Sequence, residues 1–190
     1  MTIKQPDGAT RDRRAAILDA AAVTLLRHGF RKASVDEVAR LAGISRQGLY
    51  LHFPTKDALF TATIEHLLEQ SIATSRAALG TPGVPLEARI LKAFEAMTGE
   101  TLVTRLDEIL ETAERLTGRP ATELEGEIIA EFATALDETP DSSPWRRNGD
   151  SAESVATVLY ATSAGLKRLS PSVPEYLKSL RQAIRFVCNP

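Results

Sequence analysis

The chain has 190 residues, 43% apolar and 25% charged, with a net charge of −2. That length accommodates one domain or two closely packed ones with a substantial core, and the composition is that of an ordinary globular protein. Its net charge gives no hint of nucleic-acid binding, and the absence of any apolar run near the roughly 18 residues a bilayer needs excludes a spanning helix. The distribution of charge is more informative than its sum. Residues 1–57 hold 10 Lys+Arg against 6 Asp+Glu, and the remainder holds 13 against 19. A basic front end on an acidic body suits a DNA-binding head joined to a domain with another task. Cys188 is the single cysteine, so no internal disulfide forms; its thiol reads as inert, with a redox-sensor role as the alternative. The opening MTIKQPDGAT lacks the apolar core of a signal peptide. A cytoplasmic location with no membrane partner is expected.

Helical periodicity runs the length of the chain and no segment predicts a strand, so the expected class is all-α with about nine helices. The first helix is predicted from about Arg11 to His28, with Ile17, Ala21 and Leu25 forming one apolar row and Leu18, Ala22 and Leu26 a second. Gly29 supplies its stop. The second opens on Ser34 and Glu37, spaced as a capping box, with Val35, Val38, Ala39 and Ala42 inside; Gly43 ends it. In the third, Ser45 is the N-cap, Ile44 can staple against Leu49, and Leu49 and Phe53 point inward. Pro54 stops it and Thr55 caps a long fourth helix from Lys56 to about Leu79. The Gly80–Pro85 loop leads into helices over 85–98 and 101–116. Thr122 with Glu125 resembles a second capping box, opening a helix through Phe132 and Leu136. Residues 139–150 form the largest expected loop, with Trp145 over a pocket mouth or docked on the surface. Asp150 and Glu153 cap the penultimate helix, which reaches Leu169; Pro171 and Pro174 turn the chain into the last, ending near Cys188. The expected division is a helix-turn-helix head over 1–55 and a helical ligand-binding and dimerisation domain over 56–190.

Two short capped helices joined at Gly43 describe a helix-turn-helix, whose second helix enters the major groove and reads base edges from its N-terminal residues. With Leu49 and Phe53 committed inward, the remaining positions of the third helix are free. Arg46 suits guanine O6 and N7, and Gln47 suits adenine N6 and N7. Tyr50 and His52 can donate to phosphate oxygens, Lys56 adds charge attraction, and Lys32, Ser34 and Ser45 stand where helix-start amides and hydroxyls can hold a phosphate. Ser34 is foremost a cap. Gly48 either leaves room for the backbone to approach the groove or is a relaxed position needing no side chain.

These residues closely resemble the tetracycline-repressor (TetR) family of bacterial regulators over about Arg14–Phe60. The likeness is carried by Ile17-Leu18-x-Ala-Ala, Gly29-Phe30, Ser34-Val-x-x-Val-Ala-x-x-Ala-Gly-Ile-Ser45, Leu49-Tyr50-x-His52-Phe53 and Lys56-x-x-Leu59. The resemblance implies a homodimer that binds a palindromic double-stranded operator, usually represses nearby genes, and holds a small-molecule effector among the helices behind the head. It places Arg46, Gln47, Tyr50, His52 and Lys56 at DNA-contacting positions, and Gly48 departs from relatives that carry a contacting side chain there. It also implies pairing of the last two helices across a two-fold axis, for which Ala161, Ala164 and Gly165 form a small-residue strip. Packing of that strip within the chain is the alternative.

Candidate cavity residues are Ile64, Leu67, Phe94, Met97, Leu106, Phe132 and Tyr160, each also readable as plain core, with Arg105 as an anchor for an acidic ligand or a solvent-facing cation. His28, His52 and His66 do not make a metal spacing, no cofactor is implied, and Asp107, Glu108, Glu111 and Glu114 read as an exposed acidic stripe. No phosphate loop, nucleophile elbow, HExxH or dinucleotide fingerprint appears, which disfavours an enzyme or a ligand carrier without DNA duty. A ligand-independent regulator or an activator remains the other alternative.

Overall fold

The computed structural model describes residues 8–98, 100–138 and 144–188, and their side chains except those of residues 8–12, 100–107, 109, 121, 124 and 144. The side chains of Arg105 and Leu106 therefore lie outside the described residues. Among the described residues there are ten helices and no strand. No described helix is long and apolar enough to cross a membrane. The chain divides into two compact units, one comprising the chain up to Leu68 with Glu111–Gly118, the other Glu69–Leu110 with Arg119 onward. The chain passes between the units within its fourth and sixth helices and again between Gly118 and Arg119.

In the first unit, α1 (Gly8–Lys32) buries Ile17, Leu18, Ala21, Ala22 and Leu25. The expected stop at Gly29 is where the long helical run ends. Its φ of 71° and ψ of 164° lie in a region essentially restricted to glycine, and helical residues resume beyond it to Lys32. α2 (Val35–Leu41) buries Val35, Val38 and Ala39. Ser34 has the extended backbone of an N-cap but its side chain makes no cap bond, so the predicted capping box does not form. Glu37 is instead turned toward α1, its carboxylate 3.4 Å from His28 Nε2. α3 (Arg46–His52) and the start of α4 (Lys56–Leu79) are capped as predicted: Ser45 Oγ accepts from the Gly48 amide at 3.0 Å, and Thr55 Oγ1 from the Ala58 amide at 2.9 Å. Leu59, Phe60 and Ile64 of α4 are buried.

The second unit takes the rest of α4 with α5 (Leu86–Ala96), the first part of α6 (Glu100–Thr117), α7 (Ala121–Asp137), α8 (Pro144–Arg147), α9 (Ala152–Leu169) and α10 (Val173–Cys188). Its core holds Ile90, Phe94, Phe132, Leu136, Leu159 and Tyr176, with the Phe94 and Phe132 rings stacked at 4.4 Å between centroids. Two arginines close helix ends in this unit. Arg89 Nη1 donates to the Leu79 carbonyl at 2.5 Å, and Arg146 Nη2 to the Asp137 carbonyl at 2.9 Å, satisfying last-turn acceptors of α4 and α7.

Three expected features differ in the structure. Residues 144–147 are helical where a loop was expected, because Trp145 is buried in the core and pins that turn; this gives the tenth helix. α7 begins after Pro120, whose backbone leads into the helix before Thr122, so Thr122 does not cap it. α9 is capped by Ser151, whose hydroxyl accepts from the Ser154 amide at 3.1 Å, and not by Asp150.

Candidate nucleic-acid interface

The turn between α2 and α3 is built by Gly43. Its φ of 66° is left-handed, which lets the Ile44 amide reach back to the Ala39 carbonyl at 3.0 Å and reverses the chain within a few residues. Ser45 then starts α3. A seven-residue helix is too short to persist by its own hydrogen bonds. It is held instead by Leu49, fully buried, and by Phe53 just past its end, which is buried beneath the Arg14 guanidinium at 4.4 Å.

With that edge fixed, the residues expected to read DNA fall on the open side. Ser45, Arg46, Gln47 and Tyr50 are exposed, Gly48 and His52 half-buried. Leu51, offered to solvent at 85%, is the most exposed large apolar side chain of the protein's described residues. Lys32 is exposed and Ser34 half-buried at the entry to α2. Lys56 lies over the Phe30 ring at 4.9 Å and donates from Nζ to the Arg31 carbonyl at 3.4 Å, closing the end of α1. Its charge is therefore held in place by the chain itself.

Arg46 is also held. Its Nη1 bonds both carboxylate oxygens of Asp36, at 3.1 and 3.0 Å, and its Nη2 the Tyr50 hydroxyl at 3.4 Å, with the guanidinium 5.6 Å from the Tyr50 ring. The Tyr50 hydrogen bond, then the charge of Asp36, raises the guanidinium pKa above its ordinary value, so Arg46 stays a cation in every working condition. Asp36 was missed from the sequence. The signal was there, since a helix-turn-helix brings the first turns of its two helices together and both residues stand in one.

Gly48 gains a third reading. A Cβ built on it would stand 3.2 Å from Ser45 Oγ, the atom that caps the helix. The missing side chain leaves that hydroxyl undisturbed.

The other expected site residues separate. Ile64, buried, and Leu67, half-buried, are in the first unit. Phe94, Met97 and Phe132 are buried together in the core of the second. Tyr160, on α9 in the same unit, is half-buried; burial first, and then Glu125 of α7, push its phenol up to about 12. Ala161 is exposed, Ala164 and Gly165 half-buried, and a Cβ on Gly165 would meet nothing within 4 Å. Val158 at 54% and Leu169 at 82% on α9, with Phe186 at 69% on α10, are further exposed apolar groups. A groove of about 220 Å³ near them is lined by Trp145, Asn148, Ser154, Val158 and Phe186, among others, and by none of the expected pocket residues. Among the described residues no cluster of His, Cys, Asp or Glu is arranged to hold a metal ion.

Fold and site together define a helix-turn-helix protein with an all-helical body. Residues 17–63 match the family model of the bacterial regulatory proteins of the tetR family. Over those residues, the helix-turn-helix and its flanks, the chain is similar to that family. It is similar to the HTH-type transcriptional regulator RutR of Escherichia coli (strain K12), 37% identical over 62 residues, which are 33% of this chain and 29% of RutR. It is also similar to the HTH-type transcriptional activator FasR of Mycolicibacterium smegmatis, 33% identical over 86 residues, 41% of this chain and 39% of FasR. The matched stretches thus span well under half the length of these relatives. In fold it is similar to the crystal structure of a TetR-like transcriptional regulator from Rhodococcus sp. RHA1, with a TM-score of 0.59 and 21% identity over 98% of this chain and 100% of that one.

Proposed function

We propose that this chain is a cytoplasmic, ligand-responsive transcriptional regulator: a homodimer that binds a palindromic operator, represses from it, and is released by a small-molecule effector. The observation that carries the reading is the open side of α3, where Arg46, Gln47 and Tyr50 stand exposed on a helix anchored by Leu49 and capped by Ser45. We assign base reading to Arg46 and Gln47, and phosphate contacts to Lys32, Ser34, Ser45, Tyr50, His52 and Lys56, with the backbone at Gly48 close to the groove. DNA reading belongs to residues 1–55, and effector binding and dimerisation to 56–190.

A second copy of the chain is the natural cover for Val158, Ala161 and Leu169 of α9 and Phe186 of α10, since that much exposed apolar side chain on neighbouring helices is costly in water. In the second unit, Phe94, Met97, Phe132 and Tyr160 line the effector site in this reading. A ligand acts only through its difference in affinity between two conformations, and a hundredfold loss of operator affinity needs about 2.7 kcal/mol of such coupling. The likeness to a relative named as an activator favours activation as the second reading.

Selection of bound duplexes from a random pool, followed by footprinting at two salt concentrations, tests the proposal. The expected outcome is a two-fold symmetric footprint with steeply salt-dependent affinity. A purified chain that retains no duplex at low ionic strength would refute it. A reporter downstream of the selected site separates repression from activation.

A further inference from the structure

Asp36 stands in the first turn of α2, and both its carboxylate oxygens accept from Nη1 of Arg46, at 3.1 and 3.0 Å. The Arg46 and Asp36 side chains are 58% and 63% exposed, and an ion pair so open to water adds little to stability. Nor does the start of α2 depend on Asp36 for a negative charge, since Glu37 stands in the same turn. Toward DNA a carboxylate here is unfavourable. Lys32 and Ser34, assigned above to phosphates, lie just before it in the chain, and like charges repel. Its effect on Arg46 is what explains its place.

A guanidinium has two edges able to pair with guanine O6 and N7, one formed by Nη1 and Nη2, the other by Nε and Nη2. Asp36 takes Nη1 and closes the first edge. The Tyr50 hydroxyl accepts one Nη2 hydrogen at 3.4 Å and keeps its own hydrogen for a phosphate. Nε donates to none of the described residues. The second edge is therefore the one left open. Held by Asp36 and set 5.6 Å from the Tyr50 ring, the side chain has already given up on folding the rotamer freedom that a loose arginine loses on binding.

We propose that Asp36 is a positioning residue for base readout: it holds Arg46 so that the Nε–Nη2 edge meets guanine, lowering affinity for any duplex while sharpening preference for that base. This rests on the assignment of base reading to Arg46 above.

Selection from a pool of duplexes with a randomised central window, sequenced before and after binding, tests this with the parent chain, Asp36→Ala, Arg46→Ala and the double variant. The guanine column that Arg46→Ala erases marks the base Arg46 reads. Asp36→Ala, exposed and at a helical position where alanine is favoured, is expected to lower the preference at that column by at least about fivefold, the lower end of what one bidentate arginine–guanine pair supplies. It should bind a scrambled duplex more tightly, by up to about fivefold. In the Arg46→Ala background the same change should raise affinity for every duplex and alter no column. A general loosening of α2 would not single out one column. An undiminished or sharper guanine column in Asp36→Ala would overturn the proposal and leave Arg46 as the reader. A parent chain that retains no duplex, or a pool in which Arg46→Ala erases no column, would remove the reading on which the proposal rests and the proposal with it.

Discussion

Ser45 and Gly48 pose a question that a double-mutant cycle answers. Glycine at the third position of a short helix costs up to about 1 kcal/mol against alanine, so Gly48→Ala alone should stabilise the first unit. The added Cβ, however, would stand 3.2 Å from Ser45 Oγ, and that oxygen already holds the Gly48 amide at 3.0 Å. Room has to come from the hydroxyl, which must move a few tenths of an ångström and stretch its cap bond. A cap of this kind is worth about 1 kcal/mol, so the two effects cancel and Gly48→Ala is expected to be near neutral. Ser45→Ala should destabilise by about 1 kcal/mol. In the Ser45→Ala background no hydroxyl obstructs the new methyl, and Gly48→Ala should then recover most of that loss.

The coupling, about 1 kcal/mol, is read from urea unfolding of the four proteins. Additivity within about 0.3–0.5 kcal/mol is what unrelated positions give, and it would refute the steric account of Gly48. Duplex affinity of the same four proteins tests the alternative that Gly48 admits the DNA backbone. In that case Gly48→Ala weakens DNA binding in both backgrounds, whatever it does to stability.

Arg46→Ala should abolish sequence preference while leaving the unfolding transition unchanged, as footprints and thermal melts will show; an unaltered footprint removes Arg46 from base reading. Lys56→Ala should weaken binding to all duplexes alike and flatten the slope of log affinity against log salt by about one unit. Lys167 sets a pH dependence whose sign follows from its lowered pKa. The unfolded chain keeps that proton up to about 10.5 while the folded chain gives it up near 8, so stability rises with pH across that window and the burial cost is fully present below it. The rise is no more than roughly 3 kcal/mol, and it should vanish in Lys167→Met when urea unfolding of the two proteins is compared between about pH 7.5 and 10.5. Subtracting the variant cancels the opposite contributions of Cys188, pushed by burial to about 11, and Tyr160.

The head was legible because its requirements are local. A glycine at a left-handed turn, a serine at a helix start and apolar residues at fixed spacing each follow from chain geometry, and Gly43, Ser45, Leu49 and Phe53 stand in those roles. Caps set by tertiary partners were not legible. Glu37 answers to His28 on another helix, and Arg89 and Arg146 close helix ends ten residues or so away in sequence. Trp145 shows the same limit from the other side. Pro, Asp and Ser around it signal a loop, but the burial of one large ring among distant helices outweighs that local preference and makes a helical turn. The apolar residues of the body were found without their use, because Phe94 and Phe132 satisfy the same pattern whether they stack on one another or on a ligand.

One contact set bears on how a signal would reach the DNA face. Phe30 lies just beyond the break at Gly29; Arg115 and Lys56 lie over its ring at 4.3 and 4.9 Å, and the Phe60 ring packs edge-to-face with it, centroids 5.6 Å apart. Thr61 Oγ1 also donates to the Leu116 carbonyl at 3.3 Å. The last two turns of α6 therefore belong with the head, although more than fifty residues separate them from it. Any shift of those turns must carry Phe30 with it or break these contacts, and the ring they share with Lys56 is the one that positions its charge. Exposed cation–π contacts are worth about 0.5–1 kcal/mol each and a neutral hydrogen bond a similar amount. The two contacts that α6 itself makes, Arg115 over Phe30 and Leu116 with Thr61, amount to about 1–2 kcal/mol, short of the roughly 2.7 kcal/mol a hundredfold change in operator affinity requires. In the ligand-responsive reading proposed above, the end of α6 thus supplies part of that coupling and has to act together with α4.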